Sequence, residues 1–127
     1  MEMHLVHQND NDHILVVGIL LKIGKENVEF SHVGNWIQQH TGHRLPSTNQ
    51  EVPTDILFNI MDVLPNDRHH FSYHGSLTTP PCSEGVQWIV LKTPIEISQV
   101  QADRFVTTMG PNARPVQPLH QRELLEQ

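Results

Sequence analysis

Residues Glu2 to Gln8 follow the pattern of a strand with two unlike faces. Successive strand side chains point to opposite sides, so Glu2, His4 and Val6 share one face and Met3, Leu5 and His7 the other. Asn9 to Asp12 (N-D-N-D) is a turn signal. The apolar run from His13 to Ile23, interrupted by Gly18 and Lys22 and bounded by Gly24, predicts a second strand. Two such runs joined by so short a turn predict an antiparallel hairpin.

Farther along, the period changes. Val28, Val33, Trp36 and Ile37 recur at an imperfect helical spacing, which predicts a helix over Asn27 to His40, ended by Thr41-Gly42. Arg44 to Pro53 reads as loop, Asp55 to Leu64 fits strand or helix equally, and Pro65-Asn66-Asp67 is a turn. Phe71 to Ser76 predicts a strand. Pro80 and Pro81 follow closely and forbid a continuing ladder, so Leu77 to Pro81 should be a rigid exposed segment. Gly85 to Leu91 predicts a strand with Val86, Trp88 and Val90 on one face, and Pro94 to Ile97 a separate short one. Ser98 should cap a helix that runs to about Met109 and stops at Gly110-Pro111. The tail from Asn112 reads as irregular. Neither an internal repeat nor a dividing linker is visible, so the expectation is a single mostly β unit with two peripheral helices.

Composition narrows the partners. Hydrophobic residues make up 37% and charged residues 17% of 127, ordinary for a globular chain. A free-standing chain of this size buries roughly two-thirds of its unfolded surface. The formal charge of -6 and scattered basic residues argue against nucleic acid or an anionic membrane, since phosphate binding needs clustered Lys and Arg. No apolar run approaches the roughly 20 residues that span a bilayer. The chain opens directly in a strand pattern with no polar lead-in and no visible signal peptide, as if it began in mid-sheet. Its one cysteine, Cys82, is open to two readings: a buried reduced thiol, or half of a disulfide whose partner lies in sequence not present. Ten histidines are spread along the chain, which argues against a metal-buffering tract.

Two stretches carry chemistry. A carboxylate two positions before a histidine on one strand face, as in Glu2 and His4, can reach the ring nitrogen that is not on a metal and fix its orientation. On spacing alone, such a pair is usually just an exposed polar face. In Phe71 to Trp88 (F-S-Y-H-G-S-L-T-T-P-P-C-S-E-G-V-Q-W), two threonines sit on a proline-stiffened support beside apolar residues. Its plain reading is a stiff loop with Trp88 in the core.

These segments resemble the alpha-class carbonic anhydrases. The resemblance rests on E-M-H-L-V-H at Glu2 to His7, on Tyr73 to Trp88 with its S-L-T-T-P-P-C run, and on G-I-L-L-K-I-G at Gly18 to Gly24. Trp88 to Leu91 and N-A-R-P-V-Q-P-L at Asn112 to Leu119 match as well, in the family's order and across nearly the whole chain. The resemblance implies a partial alpha-carbonic-anhydrase fold, a central, largely antiparallel twisted sheet with its N-terminal part missing. Residues 1–127 would then be the C-terminal portion of one domain. It implies a zinc lyase that reversibly hydrates carbon dioxide to bicarbonate and a proton. In such enzymes zinc takes three histidines and a water, and lowers that water's pKa to about 7.

Carried over, His4 resembles the third zinc ligand and Glu2 the carboxylate that orients it. Thr78 resembles the threonine whose hydroxyl accepts a hydrogen bond from the zinc-bound hydroxide and whose amide lies near the substrate oxygen. Thr79 lines the same mouth. Val6, Val16, Leu77, Val86 and Trp88 match the apolar substrate pocket, and Asn112 and Arg114 match structural positions. Cys82 falls where many secreted and bacterial members carry a cysteine bridged to an N-terminal partner, which implies a periplasmic or secreted protein.

The pattern departs from the family at its start. The family's other two histidines form a His-x-His pair upstream of the third, and no His-x-His occurs here. His40 and His43, or His69 and His70, fall in loops or turns and are poor replacements. The glutamate behind the threonine and the proton-shuttling histidine are also absent, and Gln8 stands where an aromatic is common. The expectation is a truncated chain that binds zinc poorly and turns over little, with exposed sheet edges that invite aggregation. Two other readings compete: a carbonic-anhydrase-like binding or scaffold module without zinc, and a His-rich metal-binding protein without catalysis. No protein partner can be inferred.

Overall fold

The computed structural model describes residues 1–41 and 59–127. The loop expected over Arg44 to Pro53, and the stretch before residue 59, lie outside them. The strands are β1 (Glu2–Gln8), β2 (Ile14–Ile23), β3 (His70–Ser76), β4 (Glu84–Ile97) and β5 (Leu125–Glu126). They form one sheet in the order β1-β2-β4-β3-β5. The helices are α1 (Val28–Thr41) and α2 (Gln99–Met109). The mostly β architecture with two helices is as expected. The chain divides into two compact units: residues 1–21, 65–95 and 113–127 in the first, and 22–64 and 96–112 in the second.

In the first unit, β1 and β2 pair antiparallel with His4 opposite Gly18 and Val6 opposite Val16. The turn between them follows from Asn9, whose Oδ1 accepts the backbone N–H groups of Asn11 and His13. β3 and β4 form a second hairpin, with Tyr73 opposite Trp88 and Gly75 opposite Val86. The register then slips: Ser76 pairs with Glu84, so Gly85 is the extra residue of a bulge. Its φ of 90° is a conformation that glycine adopts without steric cost. Leu77 to Ser83 closes on itself, with Leu77 N–H donating to Ser83 O (2.9 Å) and Cys82 N–H to Thr79 O (2.8 Å).

Two expectations are corrected. Glu84–Ile97 is one continuous strand, not two, and Pro94 lies inside it. The β3 register begins with His70 opposite Leu91, so Pro94 sits past the last β3 pair and its missing N–H costs no bond in that ladder. The tail is not wholly irregular either. Leu125 and Glu126 pair with Ser72 and Phe71 as β5. Arg122 fastens this return by donating to the backbone oxygens of His74, Pro118 and Leu119.

In the second unit, α1 begins where Asn27 Oδ1 accepts the N–H groups of Glu29 and Phe30. α2 begins with a capping box: Ser98 Oγ accepts Gln101 N–H, and Gln101 Oε1 accepts Ser98 N–H. Gly110, at φ 67°, ends it. Gln101 is 3% exposed. Its Oε1 also accepts Asn27 N–H, and its Nε2 donates to Asn27 O and Ser31 Oγ. One buried amide thus joins the starts of both helices. Phe30 and Phe105 pack edge to face at 5.9 Å. The stretch that fitted strand or helix is, where described, a 3-10 turn over Ile60–Val63 that buries Val63.

Candidate functional site

Alternation puts Glu2, His4 and Val6 on one face of β1, and the hairpin register puts Val16 and Gly18 on the same face of β2. From β4, Val86 and Trp88 complete a buried apolar cluster with Val16, and Ile14, Tyr73, Leu77 and Val90 pack against it. Strands β1 to β4 therefore all contribute to one surface.

Glu2 Oε1 lies 3.2 Å from His4 Nε2. A neutral imidazole carries one N–H donor and one bare acceptor nitrogen. A carboxylate this close to Nε2 favours a proton on that nitrogen, which in the neutral ring leaves Nδ1 bare. The His4 side chain keeps 28% of its surface exposed, so Nδ1 belongs to a ring held on one side and open on another.

Trp88 holds that ring from below. The His4 and Trp88 rings meet edge to face, centroids 4.9 Å apart and planes at 77°. On its other side, Trp88 runs parallel to Tyr73, at 6.3 Å and 7°. Its indole N–H donates to Ser76 O at 3.0 Å. Burial, and then the Glu2 carboxylate, push the Tyr73 phenol pKa up.

The same strand end carries the threonine loop. Arg114 Nη1 donates to Ser76 Oγ at 2.8 Å and reaches Leu77 O at 3.5 Å. Leu77 packs on the Val16–Val86–Trp88 cluster, and Thr78 and Thr79 follow it, both exposed. Of the expected pocket residues, Val16, Val86, Trp88 and Leu77 come together. Val6 pairs with buried Val16 across the hairpin and is itself 61% exposed. Asn112 is exposed. Cys82 is half-buried as a free thiol.

Tyr73, Gly75 and Ser76 belong to this site and were not singled out from the sequence. A Cβ at Gly75 would meet Trp88 Cδ1 at 3.0 Å, so the indole lies across a bare Cα. The signal for Tyr73 was present: strand alternation in a hairpin puts Tyr73 and Trp88 opposite one another.

A catalytic zinc takes three protein ligands and a water. Among the described residues, no three of His, Cys, Asp or Glu are grouped to hold a metal. His43 lies outside the described residues. His69 instead contacts Asp67, and His70 Nδ1 contacts Arg68 O. The described residues offer one oriented imidazole and do not complete a zinc site.

Residues 1–127 match the family model described as eukaryotic-type carbonic anhydrase. Carbonic anhydrases of Neisseria gonorrhoeae and of a Nostoc species are each 40% identical over 99% of the chain, which covers 47% and 46% of their lengths. The alpha-carbonic anhydrase of Thermovibrio ammonificans, solved with sulfanilamide, superposes with a TM-score of 0.82 at 42% identity, over 97% of this chain and 52% of that one. The chain thus spans about half the length of the relatives it matches.

Proposed function

Because the chain belongs to the eukaryotic-type carbonic anhydrase family, we propose that it contributes the substrate face of a carbon dioxide hydratase. The whole enzyme would interconvert carbon dioxide with bicarbonate and a proton. Glu2 fixes the His4 ring so that Nδ1 is the nitrogen offered to a metal. Leu77, backed by the buried Val16–Val86–Trp88 cluster, and Val6, paired with Val16, would offer a wall suited to a small apolar molecule with little else to grip. Thr78 offers a hydroxyl and an amide at the mouth, with Thr79 beside it.

The observation that carries this reading is the Glu2–His4 contact of 3.2 Å beside the buried Trp88 ring. An exposed polar strand face would have no need of a buried indole beneath the histidine. Zinc is the metal of the family, but one imidazole does not hold it. We therefore assign hydration to a longer protein, whose remaining metal ligands lie outside the described residues. The 127 residues alone should hydrate carbon dioxide at close to the uncatalysed rate.

Stopped-flow hydration and zinc content of the 127-residue chain test this directly, alongside the nucleotide sequence upstream of Met1. An upstream frame that encodes a His-x-His pair is the expected result. Stoichiometric tight zinc with full turnover by the short chain would refute the division of ligands.

A second reading is a carbonic-anhydrase-like binding or scaffold module without zinc. It is favoured by the lack of any three grouped metal ligands among the described residues. An upstream frame without paired histidines would select it. A periplasmic or secreted location is part of the first reading and rests on Cys82 bridging to sequence outside the chain. Mass spectrometry of the longer protein without reductant would detect that bridge.

A further inference from the structure

Gly18 lies directly opposite His4 in the β1–β2 hairpin and is buried. It is not among the positive-φ glycines, so its backbone does not demand glycine. Glycine inside a strand weakens it, and often marks a place where something approaches the backbone closely. Here the approaching group is a carboxylate. A Cβ built on Gly18 would stand 2.5 Å from Glu2 Oε1, 3.6 Å from Glu2 Cδ and 3.3 Å from Val90 Cγ2. The first distance is well inside van der Waals contact, and the oxygen concerned is the one that faces His4 Nε2.

We propose that Gly18 is a positioning residue for His4. Its bare Cα is the seat of the Glu2 carboxylate, and through that seat it determines which imidazole nitrogen is left for a metal. The inference rests on reading Glu2 and His4 as an oriented pair.

The consequence of filling the seat follows from which atoms can move. Glu2 Oε1 is the far end of a flexible side chain that is 37% exposed, whereas Val90 is held in the packed cluster. A methyl group at position 18 therefore displaces the carboxylate into solvent before it disturbs the hairpin. The loss falls on the orientation of His4, not on the fold.

Ring ¹⁵N spectra of His4 in the 127-residue chain test this, recorded at a pH that keeps the imidazole neutral. The wild-type chain should show one tautomer, with Nε2 protonated and Nδ1 bare. In G18A the two ring shifts should move toward those of E2A, and the double variant E2A/G18A should coincide with E2A. A folded G18A with wild-type His4 shifts would overturn the proposal. So would a G18A perturbation that is undiminished once Glu2 is already Ala. If G18A alone fails to fold, removing the carboxylate must restore folding in E2A/G18A, and failure to do so is equally fatal. No zinc or turnover enters the measurement, so a chain that never hydrates carbon dioxide still answers it.

Discussion

The imidazole of His4 stands edge-on to the indole of Trp88, with ring centroids 4.9 Å apart, although the two residues sit on strands separated in the sheet by β2. Trp88 is 4% exposed and spends its one N–H on Ser76 O. It is thus both the floor of the histidine site and a main part of the core.

Trp88→Phe separates these two parts. Phenylalanine keeps an aromatic floor but donates no hydrogen bond, leaving Ser76 O without its indole partner. Losing that bond should cost about 1 to 2 kcal/mol, whereas Trp88→Ala should cost about 3 to 5 kcal/mol. Urea unfolding followed by far-UV circular dichroism measures both. A Trp88→Phe cost as large as that of Trp88→Ala would show that the indole N–H, and not ring burial, dominates.

Gln101 should be the most sensitive polar position in the second unit. Replacing it with Leu keeps the volume but strips Ser98 N–H and Asn27 N–H of their acceptor, while Asn27 O keeps the Ser31 N–H. A buried N–H left unpaired costs about 1 to 3 kcal/mol, and these two, on half-buried residues, stand toward the lower end. Gln101→Leu should therefore destabilise the chain more than Ser98→Ala, which removes one cap worth about 1 kcal/mol. Comparing the two midpoints in urea decides the order.

What the sequence made legible was local. Asn9, Ser98, Gly110 and the alternation of β1 and β4 fix turns, caps and faces over a few residues, and the hairpins and α2 follow from them. Strand adjacency is not local. That β2 brings Gly18 between His4 and Val90 depends on pairing across more than 60 residues, and no periodicity encodes it. β5 is too short, at two residues, to show an alternation, and is held by Arg122 and the β3 edge. Pro94 misled because a proline ends a strand only where its N–H is needed. For the site, residue types and family resemblance pointed to Glu2, His4 and the threonines. Gly18 and Gly75, which act by lacking a side chain, left no chemical signature.

Acid should weaken the strand junction at Asp67. Its carboxylate accepts His69 N–H, then the Thr93 hydroxyl, and contacts the His69 ring, which together hold its pKa at about 2 instead of the usual 3.8. The folded state therefore favours the charged form. Between these values the unfolded chain binds more protons, so the contribution is fully present above the ordinary value and is lost as pH falls through about 2. Carboxyl NMR titration should find Asp67 with this low midpoint, and Thr93→Val should move it upward only in part, since the His69 amide remains. A midpoint at the ordinary value in the wild-type chain would mean that the Asp67–His69 turn does not persist in solution.

Thr78 offers the clearest separation of stability from function. Its side chain is exposed and follows Leu77, the last residue of that segment packed on the cluster. Thr78→Val removes a hydroxyl and leaves the shape, so the unfolding midpoint of the 127-residue chain should stay within about 0.5 kcal/mol of wild type. In a longer protein that carries the remaining metal ligands, the same substitution should lower hydration by roughly 10²-fold, the low end of what a positioned proton-handling group contributes. Thr79→Val, one step farther along the loop, should cost less. Both outcomes are needed: a stability loss at Thr78 would make the hydroxyl a structural group, and unchanged turnover would remove it from the reaction while leaving the Glu2–His4 pair untouched.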